Sequence, residues 1–381
     1  MRSLEKIMNL KTILFIQTLI FLPFLFQGNI GSDWDSYASF ASGMLLINEG
    51  VYIPSRPPGF PLYEFIVGIF GTISVRALLI IHFISSIVFT SFVYSKIEEN
   101  KNKFFLILIF FTSHVFLISS YSVIDYVIGS LLGFLFLDYL KKENYIIATT
   151  LITMSCAIRL SNLIFLVAGI LFLLLKKSEY IKIFYITISL VFISLFYYPS
   201  FLLADGVCFL NLTNINHELV PRLGRFFYKQ AQFFGLIGTT IFVIYSIRNF
   251  RKFNFRNPEW VSYSFIFLSF ELSFLRLPTE KGHLIPAMVA LLMILKDITF
   301  NKKVLIFVFL VSFISNFITF ELLTPDIPNH ATSASFGPKI EKGYLLQDYE
   351  NRSLKGENFE QNIAKSTEKI KINWSNGGPN C

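Results

Sequence analysis

Long apolar runs without charge decide what this chain can fold into. The stretches 104–119 and 304–320 contain no Asp, Glu, Lys or Arg. Runs of that kind approach the roughly 17 to 25 residues a helix needs to cross the hydrocarbon core of a bilayer. The whole chain follows the same trend, with 54% hydrophobic and only 15% charged residues among 381. Soluble globular proteins carry roughly a quarter charged residues, so a water-facing surface cannot be built from this few. Length alone would suggest two or three soluble domains. The composition instead predicts a single helical bundle with loops, an all-α polytopic membrane protein.

The net charge of +8 does not point to nucleic acid, because Lys and Arg punctuate the apolar segments and form no single stripe. Cys156, Cys208 and Cys381 have no CxxC spacing and make no metal framework. Arg2, Lys6 and Lys11 precede an apolar run to about Phe26. No small-residue cleavage pattern stands before Asp33, so this run reads as an uncleaved first helix.

Charge and turn residues divide the apolar runs into about eleven predicted spans. These are 12–26, 75–95, 104–119, 124–140, 144–158, 160–175, 181–198, 233–247, 259–274, 283–298 and 303–320. With a cytoplasmic N-terminus, the inside clusters 2–11, 96–103, 141–142, 176–182, 248–256 and 296–303 hold eighteen Lys or Arg. The outside loops before residue 321 hold eight, namely Arg56, Arg76, Arg159, Arg222, Arg225, Lys229, Arg276 and Lys281. That bias obeys the positive-inside rule. An odd number of spans makes 1–320 the transmembrane domain and places 321–381 outside as a polar extracytoplasmic tail. The tail shows no sustained apolar period, which fits a small appended region or partial disorder.

The first outside loop, about Gln27 to Ser74, is the most informative stretch. Asp33 and Asp35 follow the first helix. From Ser36 to Asn48 apolar and small residues recur at helical spacing, predicting a surface helix. Ser55-Arg-Pro-Pro-Gly-Phe-Pro61 cannot be helical and reads as a fixed turn presenting Arg56. Pro61 then starts a second surface helix through Ile69. A carboxylate at a membrane mouth can deprotonate a hydroxyl, and an Arg can hold a phosphate through paired donors. Asp125 falls at the outside end of the fourth span, where a helix cap is the common role. Arg159, with Ser161 and Asn162, lies between two apolar segments, where an ionisable residue is costly. A further loop gathers Arg276, Glu280, Lys281 and His283, an anion site in composition. Arg222, Arg225 and Lys229 read as loop charges. No Walker, HExxH, GxSxG or Rossmann fingerprint is present.

Asp33-Trp-Asp-Ser-Tyr37, Arg56-Pro-Pro-Gly-Phe-Pro61, Asp125, Arg159-Leu-Ser-Asn162 and Arg276-Leu-Pro-Thr-Glu280 together resemble the GT-C superfamily. These are polytopic glycosyltransferases that use polyprenyl-phosphate sugars, and the family 39 or ArnT-like subset is the most similar. The resemblance implies a GT-C-like bundle whose large first extracytoplasmic loop bears surface helices. It also implies an inverting transfer from a lipid phosphate to a hydroxyl of a glycan, lipid or protein. The first-loop Asp would be the catalytic base, which the Asp-x-x-x-Tyr spacing places on Asp33. Many relatives carry an acid immediately after it; here that position is Trp34 and the second acid is Asp35, so both carboxylates stand as candidates. Tyr37, Arg56, Asp125, Arg159, Asn162, Arg276, Glu280, Lys281 and His283 are the expected substrate-binding residues. The Asp33-x-Asp35 pair could hold a divalent cation. The setting would be a cytoplasmic (inner) membrane. A transporter or flippase of lipid-linked sugars, or a polymerase or ligase, would use the same substrates.

The threading makes a direct prediction. A Cys placed at Ser55 or Thr279 should react with an impermeant thiol reagent applied to intact cells, whereas one at Asn100 or Asn301 should be protected. Labelling of both sets from one face would overturn the threading.

Overall fold

The computed structural model describes residues 2–97, 103–204, 219–248, 257–278, 281–296, 301–325 and 334–375. It opens with α1 (Arg2–Gln27), followed by α2 (Trp34–Glu49), α3 (Pro61–Ile73) and α4 (Val75–Lys96). Next come α5 (Lys103–Phe111), α6 (His114–Tyr121), α7 (Tyr126–Lys141) and α8 (Tyr145–Ile158). A 3₁₀ turn, Leu160–Asn162, leads into α9 (Leu163–Leu175), α10 (Tyr180–Thr187) and α11 (Ser189–Leu203). Then follow α12 (Leu219–Gln232), α13 (Leu236–Arg248) and α14 (Pro258–Arg276). A second 3₁₀ turn, Lys281–His283, precedes α15 (Leu284–Leu295) and α16 (Lys302–Ser315). The chain closes with an antiparallel hairpin, β1 (Ile318–Pro325) and β2 (Ala334–Lys342), then α17 (Tyr344–Gly356) and α18 (Phe359–Ser375).

This is the helical architecture of a membrane protein, but not with eleven spans. Among the described residues, three stretches are long and apolar enough to cross a membrane: Asn9–Gln27, Val75–Lys96 and Tyr180–Leu203. Two helix pairs, Phe104–Phe111 with His114–Tyr121 and Arg222–Gln232 with Leu236–Arg248, raise the number to five if each bent pair is one span. The expected crossings at 144–158, 160–175 and 283–298 are shorter apolar helices. At 1.5 Å per residue, the 14 residues of α8 cover about 21 Å, well short of a hydrocarbon core of about 30 Å. The expected crossing at 303–320 stops being helical at Ser315 and passes into β1. An apolar run need not fold as one straight helix. Lys229 and its neighbours Arg222 and Arg225, read as loop charges, are instead on α12.

The chain packs into two compact units, each assembled from three segments. The first comprises Met1–Leu22, Ile87–Ile118 and Asn216–Glu350; the second comprises Pro23–Ser86, Ser119–Ile215 and Asn351–Cys381. The hairpin therefore belongs to the first unit and α18 to the second.

In the second unit, both helices expected in the first loop are present as α2 and α3. They cross backbone to backbone. A Cβ on Gly43 would stand 2.5 Å from the Glu64 carbonyl oxygen and 2.6 Å from the Gly68 nitrogen, so only glycine fits. The connecting turn is organised from inside by Glu64, which has no exposed surface. Its carboxylate accepts from the Tyr52 hydroxyl at 2.7 Å, the Ser55 N–H at 2.8 Å and the Phe60 N–H at 3.3 Å. Gly59 closes the turn at φ +92°, where a side chain would also meet the Tyr52 hydroxyl.

The last part of the tail, from Asn351, is built into this unit. α18 lays Ile370 and Trp374 on Ala38 and Ala41 of α2, and the Trp374 indole donates to the Pro54 carbonyl at 2.7 Å. Arg352 on α17 is fully buried. It donates to the Tyr121 carbonyl at 2.7 Å and the Ser122 hydroxyl at 2.5 Å, with its guanidinium 4.9 Å from the Phe24 ring centroid.

Two predictions follow from these contacts. Arg352→Ala leaves the Tyr121 carbonyl without that donor, which should cost about 1 to 3 kcal/mol for that carbonyl alone. It should also speed proteolysis between α17 and α18; unchanged unfolding and unchanged cleavage would show that the tail is not held by this residue. The second concerns Glu64, whose carboxyl is pushed above its ordinary range by burial while the hydrogen bonds from Ser55 and Tyr52 draw it back. With the folded pKa above the unfolded one, its contribution is present at acid pH and is lost as pH rises through the folded pKa. Compared with Glu64→Gln, which cannot ionise, the wild type should lose stability as pH rises from about 4 toward neutrality. Thermal unfolding of both proteins across that range tests this, and a pH-independent difference would refute it.

Candidate functional site

Residues from four distant parts of the sequence converge in the second unit on the ring of Phe60, the residue preceding α3. The Arg56 guanidinium carbon is 5.0 Å from its centroid and that of Arg159 is 5.5 Å. Each guanidinium belongs to an ion pair, and the two pairs differ in exposure.

The inner pair is Asp125 with Arg159. Arg159 interrupts the helix between α8 and the following 3₁₀ turn, with extended backbone at φ −154° and ψ 117°. Its Nη1 lies 3.0 and 2.9 Å from the two oxygens of Asp125, Nη2 donates to the Tyr126 hydroxyl at 3.0 Å, and Nε donates to Ser161 Oγ at 3.2 Å. Asp125 stands at the N-cap position of α7, yet its carboxylate makes no cap bond. The side chains are only 9% and 5% exposed, so each charge depends on the other for its solvation. Asn162, the next expected site residue, donates to the Ser155 carbonyl at 3.1 Å and so ties the 3₁₀ turn to α8.

The outer pair is Asp35 with Arg56, at 2.9 Å and with side chains 38% and 24% exposed. Asp35 lies in the first turn of α2 and Asp33 at its N-cap, where Asp33 is exposed and its carboxylate makes no cap bond. The positive end of the helix dipole favours both negative charges there. Cations from the tail flank the same turn. Lys355 donates to the Ser32 carbonyl and lies 5.8 Å from the Tyr37 ring, and Lys369 lies 4.5 Å from the Trp34 ring. Tyr37 itself is buried, and its hydroxyl donates to Asn29 Oδ1 at 3.0 Å. Burial raises its pKa against the pull of that hydrogen bond, so Tyr37 is a support for α2.

The other expected residues belong to the first unit. Arg276 is exposed at the last position of α14. Lys281 and His283 share the turn before α15, with His283 buried and its ring centroid 6.4 Å from that of Phe270. Glu280 lies outside the described residues, as do Cys208 and Cys381.

Sequence reasoning missed Phe60, Glu64, Lys355 and Lys369. Glu64 did carry a signal, as the lone charge in the apolar helix PLYEFIVGIFGTI. Phe60 carried none, since an aromatic beside proline is ordinary.

Chemically, an exposed carboxylate beside a guanidinium at a helix N-terminus can take a proton from a hydroxyl while a neighbouring oxyanion is held. As donors for a divalent cation the turn offers two carboxylates, one of them already bound to Arg56. Among the described residues no group of three or more His, Cys, Asp or Glu could hold a metal ion. Comparison of the chain with family models, with curated proteins and with solved structures finds no match in any of the three.

Proposed function

We propose that this protein is an inverting, membrane-embedded glycosyltransferase that moves a sugar from a polyprenyl-phosphate donor to a hydroxyl acceptor on the extracytoplasmic face. One observation carries the reading: a partly exposed Asp35–Arg56 pair beside Asp33, braced through Phe60 on the buried Asp125–Arg159 pair. Acid, base and anion-holding groups are thus at one place, and the part that must not move is the buried part.

In this reading the acceptor oxygen attacks the anomeric carbon as the carbon–oxygen bond to phosphate breaks. The phosphate leaves with the bonding electron pair, and the hydroxyl proton passes to a carboxylate. Asp33 suits the base role better than Asp35, because it is the more exposed of the two. Arg56, with Asp35 orienting it, meets the charge developing on the phosphate. Arg159, whose three nitrogens all have partners, positions Phe60 and Arg56 and does not bind phosphate itself. No metal step is required.

The test is product formation in proteoliposomes with a panel of polyprenyl-phosphate sugars at saturating donor. Asp33→Asn should lower turnover by roughly 10² to 10⁴-fold, the usual contribution of a general base, with folding and donor affinity retained. Asp35→Asn and Arg56→Lys should act mainly on donor affinity, since Lys lacks the planar fork. Movement of donor without any glycosylated product would identify a transporter. Full activity in both Asp variants and in their double variant would remove these carboxylates from the mechanism.

A further inference from the structure

α14 carries one acid where an apolar helix should have none. Glu259 lies in its first turn and Arg276 at its end, and between them Glu271 is the one charged residue. An ionisable residue so placed is costly and marks a functional site by default.

Its surroundings are set by α12. The Phe226 and Phe274 rings lie 5.6 Å apart, and one turn away on both helices the Gln230 amide donates to Glu271 Oε2. Residue numbers run in opposite directions through these two contacts, so the helices pack antiparallel there. The other carboxyl oxygen, Oε1, is buried and has no hydrogen-bond partner among the described residues. Leu268 is three residues from Glu271 and Phe227 three from Gln230, so each shares its neighbour's side of the helix. These two apolar side chains are 59% and 65% exposed. The carboxyl is therefore covered, but at the edge of the outward apolar surface.

α14 itself also carries Tyr263. The elements packed on it bring Arg222, Arg225, Tyr228 and Lys229 on α12, and Lys281 and His283 in the turn before α15. α15 has no titratable residue. Among the described residues none of these cations pairs with Glu271, whose polar partner is Gln230. Glu64 shows the contrast, since its buried carboxylate accepts three donors and Glu271 accepts one. A buried carboxyl with one neutral donor and no cation lowers its free energy by taking up a proton, because the isolated charge is far costlier than the neutral acid. We propose that Glu271 is a proton-binding site at the hydrocarbon edge of the first unit, with the proton carried on Oε1. Uptake leaves the α12–α14 contact neutral; release leaves a carboxylate that the described side chains do not solvate. No residue of the Asp33 turn takes part, so the site stands or falls apart from the transfer reaction.

The experiment uses the full chain in phosphatidylcholine nanodiscs. Dicyclohexylcarbodiimide, an apolar reagent, adds to a protonated carboxyl, takes its proton onto nitrogen and remains as an acyl urea that mass spectrometry locates. Glu271 should be modified at pH 6 and at least about tenfold more slowly at pH 9, because the protonated fraction falls about tenfold with each pH unit above the pKa. Glu259, paired with Lys296 at 3.5 Å, should be spared. In the infrared spectrum at pH 6, one carbonyl band of a protonated carboxyl should be lost in Glu271→Gln, which keeps a neutral group of similar shape. An unmodified Glu271 at pH 6, equal rates at the two pH values, or modification of Glu259 at the same rate overturns the proposal. So does an unchanged infrared band in the folded variant. Protection by sodium but not by choline at constant pH overturns it too, since that would assign the carboxylate to a metal cation. Should Glu271→Gln fail to fold, the labelling of the wild type decides alone.

Discussion

The buried ion pair between Asp125 and Arg159 is the interaction on which the second unit turns. Neither side chain has enough water to be solvated alone, so losing one partner leaves an isolated charge, which costs several kcal/mol. The pair therefore dictates where α7 and α8 may stand relative to each other. Arg159 can reach Asp125 only because the backbone is extended at that residue and α8 ends one residue before it. The cost of the helix break is offset locally, by Asn162 donating back to Ser155 and by Ser155 donating to the Gly129 carbonyl at 2.7 Å. Phe60 then joins this fixed charge to a less buried one. A ring face attracts a cation most when water is excluded; Arg159 is the more buried of the two cations, and Arg56 stands the closer to the ring, at 5.0 against 5.5 Å.

How much of this was legible in the sequence depended on whether a residue broke a local pattern. Arg159 did so, as an ionisable residue between apolar segments, and the helix ends there. The proline-rich turn and Gly59 did so too, and α2 and α3 flank them. The bend inside the run 104–119 is not legible, for the opposite reason. Hydropathy rises and falls smoothly through Thr112–Ser113, where the backbone bends, because Thr and Ser satisfy carbonyls of their own helix. Thr112 Oγ1 donates to the Leu108 carbonyl and Ser113 Oγ to that of Phe110, both at 2.7 Å. A bend paid for by hydroxyls inside the run leaves no gap in composition.

The helices of the tail are hidden in the sequence by dilution. Phe359, Ile363, Ile370 and Trp374 lie on one helical stripe of α18, but Ser366 occupies the middle of it and the rest of the segment is charged. A stripe this sparse does not stand out as periodic, yet α2 offers small residues, Ala38 and Ala41, that let a few large side chains cover it. Phe359 adds ring contacts to Tyr37 and Phe40 at 5.9 Å each. Arg352 was invisible for another reason. Its partners are a carbonyl, a hydroxyl and an aromatic face, and no sequence pattern announces an Arg that satisfies itself on backbone.

Placing lysines from the tail beside the Asp33–Asp35 turn changes what that turn can do. An isolated acidic pair at a helix N-terminus would be stabilised by the dipole but left open to any cation. Here Arg56 holds an oxygen of Asp35, and Lys355 and Lys369 lie beside the turn on the Ser32 carbonyl and the Trp34 ring. The local field is mixed, and a mixed field suits a reaction in which a proton is accepted at one atom while negative charge grows a few ångströms away. The lysines are not interchangeable in that role. Lys355 is fixed by its bond to the Ser32 carbonyl, so it holds the backbone that carries Asp33. Lys369 touches only the Trp34 face among the contacts described, and a cation held by a ring alone keeps its N–H donors available. Of the two, Lys355 is thus tied to the backbone of the turn and Lys369 to the ring of Trp34.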